Sequence, residues 1–200
     1  MGLISGSLTF FRLHFQEALK LSNREIQSAL EQYSFNNLFE EEKFVNYGFV
    51  PFDFPVQTDF LTAETDFDGL SVFGVRIDEK KVNKKYFDIE FERMKNAFMQ
   101  ENGKTYLTKT DKEFIKNALN TKLLKNSLPS TSIVEVILNQ DEKCIYVSAL
   151  NTKVMDILEH LFRLGFEIAV YRESMVENVR KKTGNAKLID DMLKLTPYNF

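Results

Sequence analysis

Cysteine is nearly missing from this 200-residue chain: Cys144 stands alone, beside two histidines, four prolines and eight glycines. One thiol excludes an intramolecular disulfide and a multi-thiolate metal site, and a reducing cytoplasm is the compartment expected. His14 sits near a strand end with no evident partner and His160 beside the apolar stripe of a helix, so neither supports a catalytic triad. Cys144 lies in a strand with nothing to activate its thiol and reads as packing. No GxxxxGK[ST] or GxGxxG string is present, which removes a glycine loop as a phosphate cradle. The longest apolar stretches alternate with charge and fall far short of a bilayer span, and no early run has the flanks of a secretory signal. No cofactor, no metal and no membrane partner are expected.

What is present is apolar material and unevenly placed charge. Hydrophobic residues make up 44% of the chain, with 19 phenylalanines among them, enough to bury a core in one domain or two small ones. The net charge of −3 hides a basic middle: residues 76–125 hold thirteen Lys and Arg against eight acids, whereas residues 1–75 hold four against eleven and residues 126–200 nine against ten. A polyanion meets local charge within a Debye length of about 8 Å, so a mildly acidic total does not exclude nucleic acid.

Patterning predicts a strand over Leu3 to Phe15 and a helix from about 23 to 34 behind the capping box Ser22-Asn23-Arg24-Glu25. Residues 35–56, Phe-rich and broken by Gly48, Pro51 and Pro55, with acids at Glu40, Glu41 and Glu42, are expected to form a loop pinned by its aromatics. Strands over Asp59 to Thr65 and Leu70 to Ile77 flank Asp66-Phe67-Asp68-Gly69, whose Asp-Gly is a hairpin signal. Phe87, Phe91, Met94 and Phe98 then recur at helical spacing until Asn102-Gly103. A second helix is expected from the capping box Thr110-Asp111-Lys112-Glu113 toward Ser127, stopped by Pro129. Ile133 to Leu138 and Lys143 to Leu150 read as a second strand hairpin, Asn151 as the cap of a helix closed by Gly165, and Phe166 to Tyr171 as a last strand. The sum is an α+β fold of antiparallel sheets backed by helices, in two mirrored β/α halves with a long helical hairpin inserted. Residues 1–78 and 129–172 form the core, 79–128 the hairpin tip and 173–200 a C-terminal helical tail with a helical patch around Leu188 to Leu193.

The basic middle is the functional signal. Lys80, Lys81, Lys84 and Lys85 cluster where the first hairpin helix begins, with Asn83 as N-cap, although cations in a first turn oppose the helix dipole. The free amides there bind anions, so added lysines improve a phosphate site at the helix's expense. In the second helix Lys109, Lys112 and Lys116 share a face, while Lys122 and Lys125 turn toward another. An alternative reading is a metal-dependent nuclease, with Asp66, Asp68 and Glu79 as carboxylates and Lys81 near the attacking water. A third is a protein-binding adaptor whose hairpin meets only protein.

Several strings, taken in order, resemble the recombination-associated protein RdgC family. They are Gly6-Ser7-Leu8-Thr9-Phe10-Phe11-Arg12-Leu13, Gly48-Phe49-Val50-Pro51, the Lys80 to Lys85 helix entry, Gly103-Lys104 with Lys109, Lys112 and Lys116, Leu123-Leu124 to Leu128-Pro129, and Ile145-Tyr146-Val147-Ser148-Ala149. The likeness covers about residues 3 to 172. It implies a non-enzymatic protein that binds duplex DNA with little sequence preference, as a homodimeric ring with a positively lined hole, and that limits access of the RecA recombinase. It also implies a cytoplasmic, nucleoid-associated protein and a hairpin tip that meets the partner subunit. Longer family members carry a further C-terminal part that supplies a second subunit contact, so the resemblance leaves ring closure at that end open. The residues expected to contact DNA are Lys80, Lys81, Lys84, Lys85, Lys112, Lys116, Lys122 and Lys125.

Overall fold

The computed structural model describes residues 10–36, 44–173 and 175–194. Its centre is a six-stranded antiparallel sheet. The strands are β1 (Phe11–His14), β2 (Val45–Val50), β3 (Asp66–Phe67), β4 (Leu70–Lys80), β5 (Pro129–Asn139) and β6 (Cys144–Val147). They lie in the order β1-β6-β5-β4-β2, with β3 paired to β4 alone. The fold is α+β, as the sequence patterning predicts. Helices α1 (Asn23–Gln32) and α4 (Thr152–Phe166) back the sheet, α2 (Lys84–Glu101) and α3 (Lys109–Asn126) form the inserted hairpin, and α5 (Met175–Thr183) packs on α6 (Ala186–Leu193).

Alternation along the strands builds the core. Phe73, Val75 and Ile77 of β4 face the helices together with Val134, Val136 and Leu138 of β5, Ile145 and Val147 of β6, Leu13 of β1 and Phe49 of β2. Helix α4 answers with Ile157, Leu158, Leu161, Phe162 and Phe166, and α1 with Ile26 and Leu30. Each such side chain contributes about 1.5–3 kcal/mol on burial, so a one-residue slip in register would turn the whole set outward. On the opposite face of β4, Arg76 donates to both oxygens of buried Asp78 at 3.0 and 2.8 Å and lies 4.2 Å over the Phe35 ring.

The structure corrects several expectations. Within the loop expected over 35–56, Val45–Val50 is a full edge strand paired to β4. Glu40, Glu41 and Glu42, like residues 3–9 of the expected first strand, lie outside the described residues. Asp59 to Thr65 is not a strand; only Asp66–Phe67 pairs with β4, and the turn is the two residues Asp68 and Gly69, at φ 55° and 82°. Positive φ at both positions matches the sheet's twist, and Asp and Gly tolerate it. The capping box of α3 lies two residues earlier than expected, on Thr108 and Asp111. Helix α4 runs past Gly165 and ends at Glu167 in the left-handed region, at φ 57°. Phe166 to Tyr171 contributes a single bridge, Tyr171 to His14, so the second half lacks the closing strand of a mirrored pair. His14 does have a partner, with its Nε2 3.3 Å from Glu173.

Gly48 explains how the β2 edge is closed. A Cβ there would sit 2.5 Å from Phe35 Cα and 2.8 Å from Ser34 C, both backbone atoms that cannot rotate away. The close approach lets Phe35 donate its N–H to Phe49 O at 2.8 Å and Phe49 donate to Tyr33 O at 3.0 Å. Gly48→Ala is therefore expected to destabilise the fold by about 3 kcal/mol, read as a lower urea midpoint at unchanged slope. An unchanged midpoint would refute the close approach.

Candidate nucleic-acid interface

The hairpin leaves the sheet between its two longest strands, since Lys80 at the end of β4 pairs with Pro129 at the start of β5. Asn83 begins α2 by accepting from the Tyr86 N–H at 3.2 Å. Gly103, at φ 61°, turns the chain after α2. Thr108 and Asp111 then satisfy each other's backbone amides at the start of α3, and Lys104 Nζ reaches Asp111 at 3.0 and 2.9 Å. That lysine and the cap hold the Asp111 carboxyl below the usual carboxylate range. Eighteen residues at about 1.5 Å rise make each helix roughly 27 Å long.

Ile115 and Leu119 of α3 are the buried seam against α2, which itself buries no residue fully. The Phe87, Phe91, Met94 and Phe98 stripe is only half-buried, with the Phe87 and Phe91 rings stacked at 6.2 Å. The two helices pack on each other, and neither makes an extensive contact with another described element. The hairpin therefore stands off the core as an arm, with Tyr86, Ile89, Tyr106 and Phe114 exposed on it.

At the base of the arm lies a cleft of about 540 Å³ between the start of α2 and the end of α3. Lys81, Arg93 and Lys122 line it together with Asn83, Tyr86 and Glu90. Beside it Lys80 Nζ donates to the Lys125 carbonyl at 3.2 Å, which ties the two strand-helix junctions together. Arg93 approaches Glu90 at 3.4 Å, one helical turn away. Lys81 Nζ meets Glu79 at 2.8 Å, and Lys153 of α4 meets the other oxygen of Glu79 at 2.9 Å. Hydrogen bonds first from Lys81 and then from Lys153 hold the Glu79 carboxyl below its ordinary range.

The eight lysines singled out from the sequence thus do not form one patch. Lys80, Lys81, Lys122 and Lys125 gather at the base of the arm. Lys84 and Lys85 are exposed on the first turn of α2, which presents Tyr86, Glu90 and Arg93 to the cleft instead. By helical periodicity Lys112 and Lys116 flank the Ile115 and Leu119 seam on the side opposite Lys122 and Lys125. Lys116 lies 5.5 Å over the Phe91 ring. Sequence reasoning missed Arg93 and Lys153: Arg93 belongs to a Tyr86, Glu90, Arg93 stripe beside the Phe stripe, and Lys153 sits on a core helix far along the chain.

The nuclease grouping does not assemble. Asp66 pairs with Ser71 at one end of β4 while Glu79 pairs with Ser130 at the other. Eight residues of strand at about 3.3 Å each set them roughly 26 Å apart, too far to share an ion. Asp66 instead accepts from the Asn23 side chain, and no cluster of three or more His, Cys, Asp or Glu suited to a metal occurs among the described residues. Cys144 is buried, and exposed His160 meets the Tyr47 hydroxyl through Nδ1 at 3.3 Å. No described helix is long and apolar enough to cross a membrane. No family model matches the chain, and comparison with the curated proteins gives no match.

Proposed function

We propose that this protein holds duplex DNA by its sugar-phosphate backbone, without reading bases and without cutting, as a homodimer. In keeping with the resemblance to the RdgC family, its place is the cytoplasmic nucleoid and its effect is to limit RecA access to DNA. The observation that carries the reading is the cation-lined cleft at the base of an arm that makes no extensive contact with another described element. Lys84, Lys85, Lys112, Lys122 and Lys125 form no side-chain hydrogen bond or ion pair with a described residue, so their charge is left for a polyanion. Phosphate contacts alone give affinity without sequence preference. The exposed Tyr106 and Phe114 near the tip supply apolar surface for a second subunit.

Four to six neutralised phosphates make log affinity fall against log salt with a slope of about −4 to −5. A gel-shift titration on unrelated duplexes at two salt concentrations, beside a mass measurement in solution, tests this. Equal affinity for unrelated sequences, that slope, and twice the chain's 23.3 kDa are the expected results. A slope near zero would falsify the reading. Capture of a protein by the hairpin with no DNA retention would favour the adaptor instead.

A further inference from the structure

We infer that Lys153 of α4 belongs to the phosphate-binding surface and that Glu79 is its built-in competitor, a carboxylate occupying the place where a backbone phosphate binds. The inference rests on the DNA-binding reading above and extends it from the arm onto the core. Glu79 projects from β4 on the helix-covered side, in the same alternation as Phe73, Val75 and Ile77. Its two oxygens are divided between two cations from different elements: Oε2 to Lys81 Nζ at 2.8 Å and Oε1 to Lys153 Nζ at 2.9 Å. A phosphodiester presents the same pattern, two anionic oxygens on one centre, to the same pair of ammonium groups.

The surroundings favour exchange. The Lys81 side chain is 68% exposed and that of Lys153 is 36% exposed, whereas Glu79 is 27% exposed, so the cations reach solvent further than the acid they share. Lys81 also lines the basal cleft, so a phosphate seated there is within reach of it. Lys153 occupies the first turn of α4, where no acidic residue is present and a cation opposes the helix dipole. Local helix stability does not call for a lysine at that position. Ion pairs this exposed hold weakly enough for a polyanion to replace the carboxylate.

The test is a fluorescence-anisotropy titration of a labelled duplex over a salt series with wild-type protein and four variants: Glu79→Gln, Lys153→Gln, the double variant, and Asp141→Asn. Asp141 lies in the exposed turn after β5, at the far end of the sheet, and its substitution makes the same change in net charge. Glu79→Gln is expected to bind about tenfold more tightly at low salt, the scale of one unit charge a few ångströms from the phosphate. Lys153→Gln should flatten the salt slope by about one unit, and when combined with Glu79→Gln should cancel most of the gain. Equal shifts for Glu79→Gln and Asp141→Asn, or no effect of Lys153→Gln either alone or in the double variant, would overturn the competitor while leaving the DNA-binding reading in place. Failure of both wild-type and Glu79→Gln protein to bind would sink the two together. Matching thermal melts confirm that the comparison is between folded proteins.

Discussion

Replacing Lys84, Lys85, Lys122 and Lys125 together by glutamine is expected to weaken duplex binding on the order of a thousandfold at about 50 mM salt, and to flatten the salt slope by about four units, with little change in fold stability. The two halves of this result have separate physical origins. All four side chains are exposed and form no ion pair with a described residue, so no buried contact is lost. Lys84 and Lys85 oppose the dipole at the start of α2, and removing each returns a few tenths of a kcal/mol. Lys125 lies in the last turn of α3, where a cation is favourable, and its removal costs about as much. These opposing terms leave a net stability change of only a few tenths of a kcal/mol, whereas the four lysines add in binding, because each releases its own counterion from the duplex. Thermal melting and anisotropy on the same samples check both. A variant that melts like wild type and keeps its salt slope would show that these lysines are only a solvated surface, while one that loses both would show that they hold the arm together.

Local chemistry carried much of this into the sequence. Ser22 with Glu25, Asn83, and Asn151 are each legible as caps because the residues that satisfy the amides are neighbours in sequence, and the structure places helices behind all three. The Thr108 cap is ambiguous in sequence, since Thr108 with Asp111 and Thr110 with Glu113 satisfy the same spacing. Lys104, seven residues before Asp111, pairs with that acid and favours the earlier one. Strand β2 is hidden in the sequence for a different reason. Gly48 reads locally as a breaker, yet its role is to admit the backbone of Ser34 and Phe35, a contact that exists only once the chain has folded back. The basic site divides in the same way. Its lysine density is a property of composition, whereas the flank each lysine occupies depends on the Ile115 and Leu119 seam. Lys153 joins only through the packing of α4 against the sheet, which brings it to Glu79 across seventy-odd residues of chain.

Phe49→Ala is expected to cost about 3–5 kcal/mol of stability, yet to leave the DNA salt slope of the folded protein unchanged. Phe49 is fully buried. Its ring meets Phe73 at 5.3 Å, Phe166 at 5.9 Å and Phe162 at 6.2 Å, all edge-on, so one truncation breaks three aromatic contacts worth about 0.5–1.5 kcal/mol each beyond area. The cavity cannot readily collapse from the helix side, because α4 also presents Gly165 to the ring, and that residue has no side chain to move in. Nor can β2 shift toward it, with backbone hydrogen bonds to Tyr33 and Phe35 on one flank and full register with β4 on the other. For a chain of this size about 4 kcal/mol lowers the melting temperature by roughly 8–16 °C, out of a total stability of about 5–15 kcal/mol. Phe49→Leu, which keeps most of the volume, should recover about half of the loss. The binding half of the prediction follows from the arm's independence: α2 and α3 make no extensive contact with the Phe49 cluster, so the cleft keeps its shape wherever the core stays folded. A melting point within about 2 °C of wild type would refute this packing role for Phe49, and an altered salt slope well below the new melting point would show the arm and the core to be coupled.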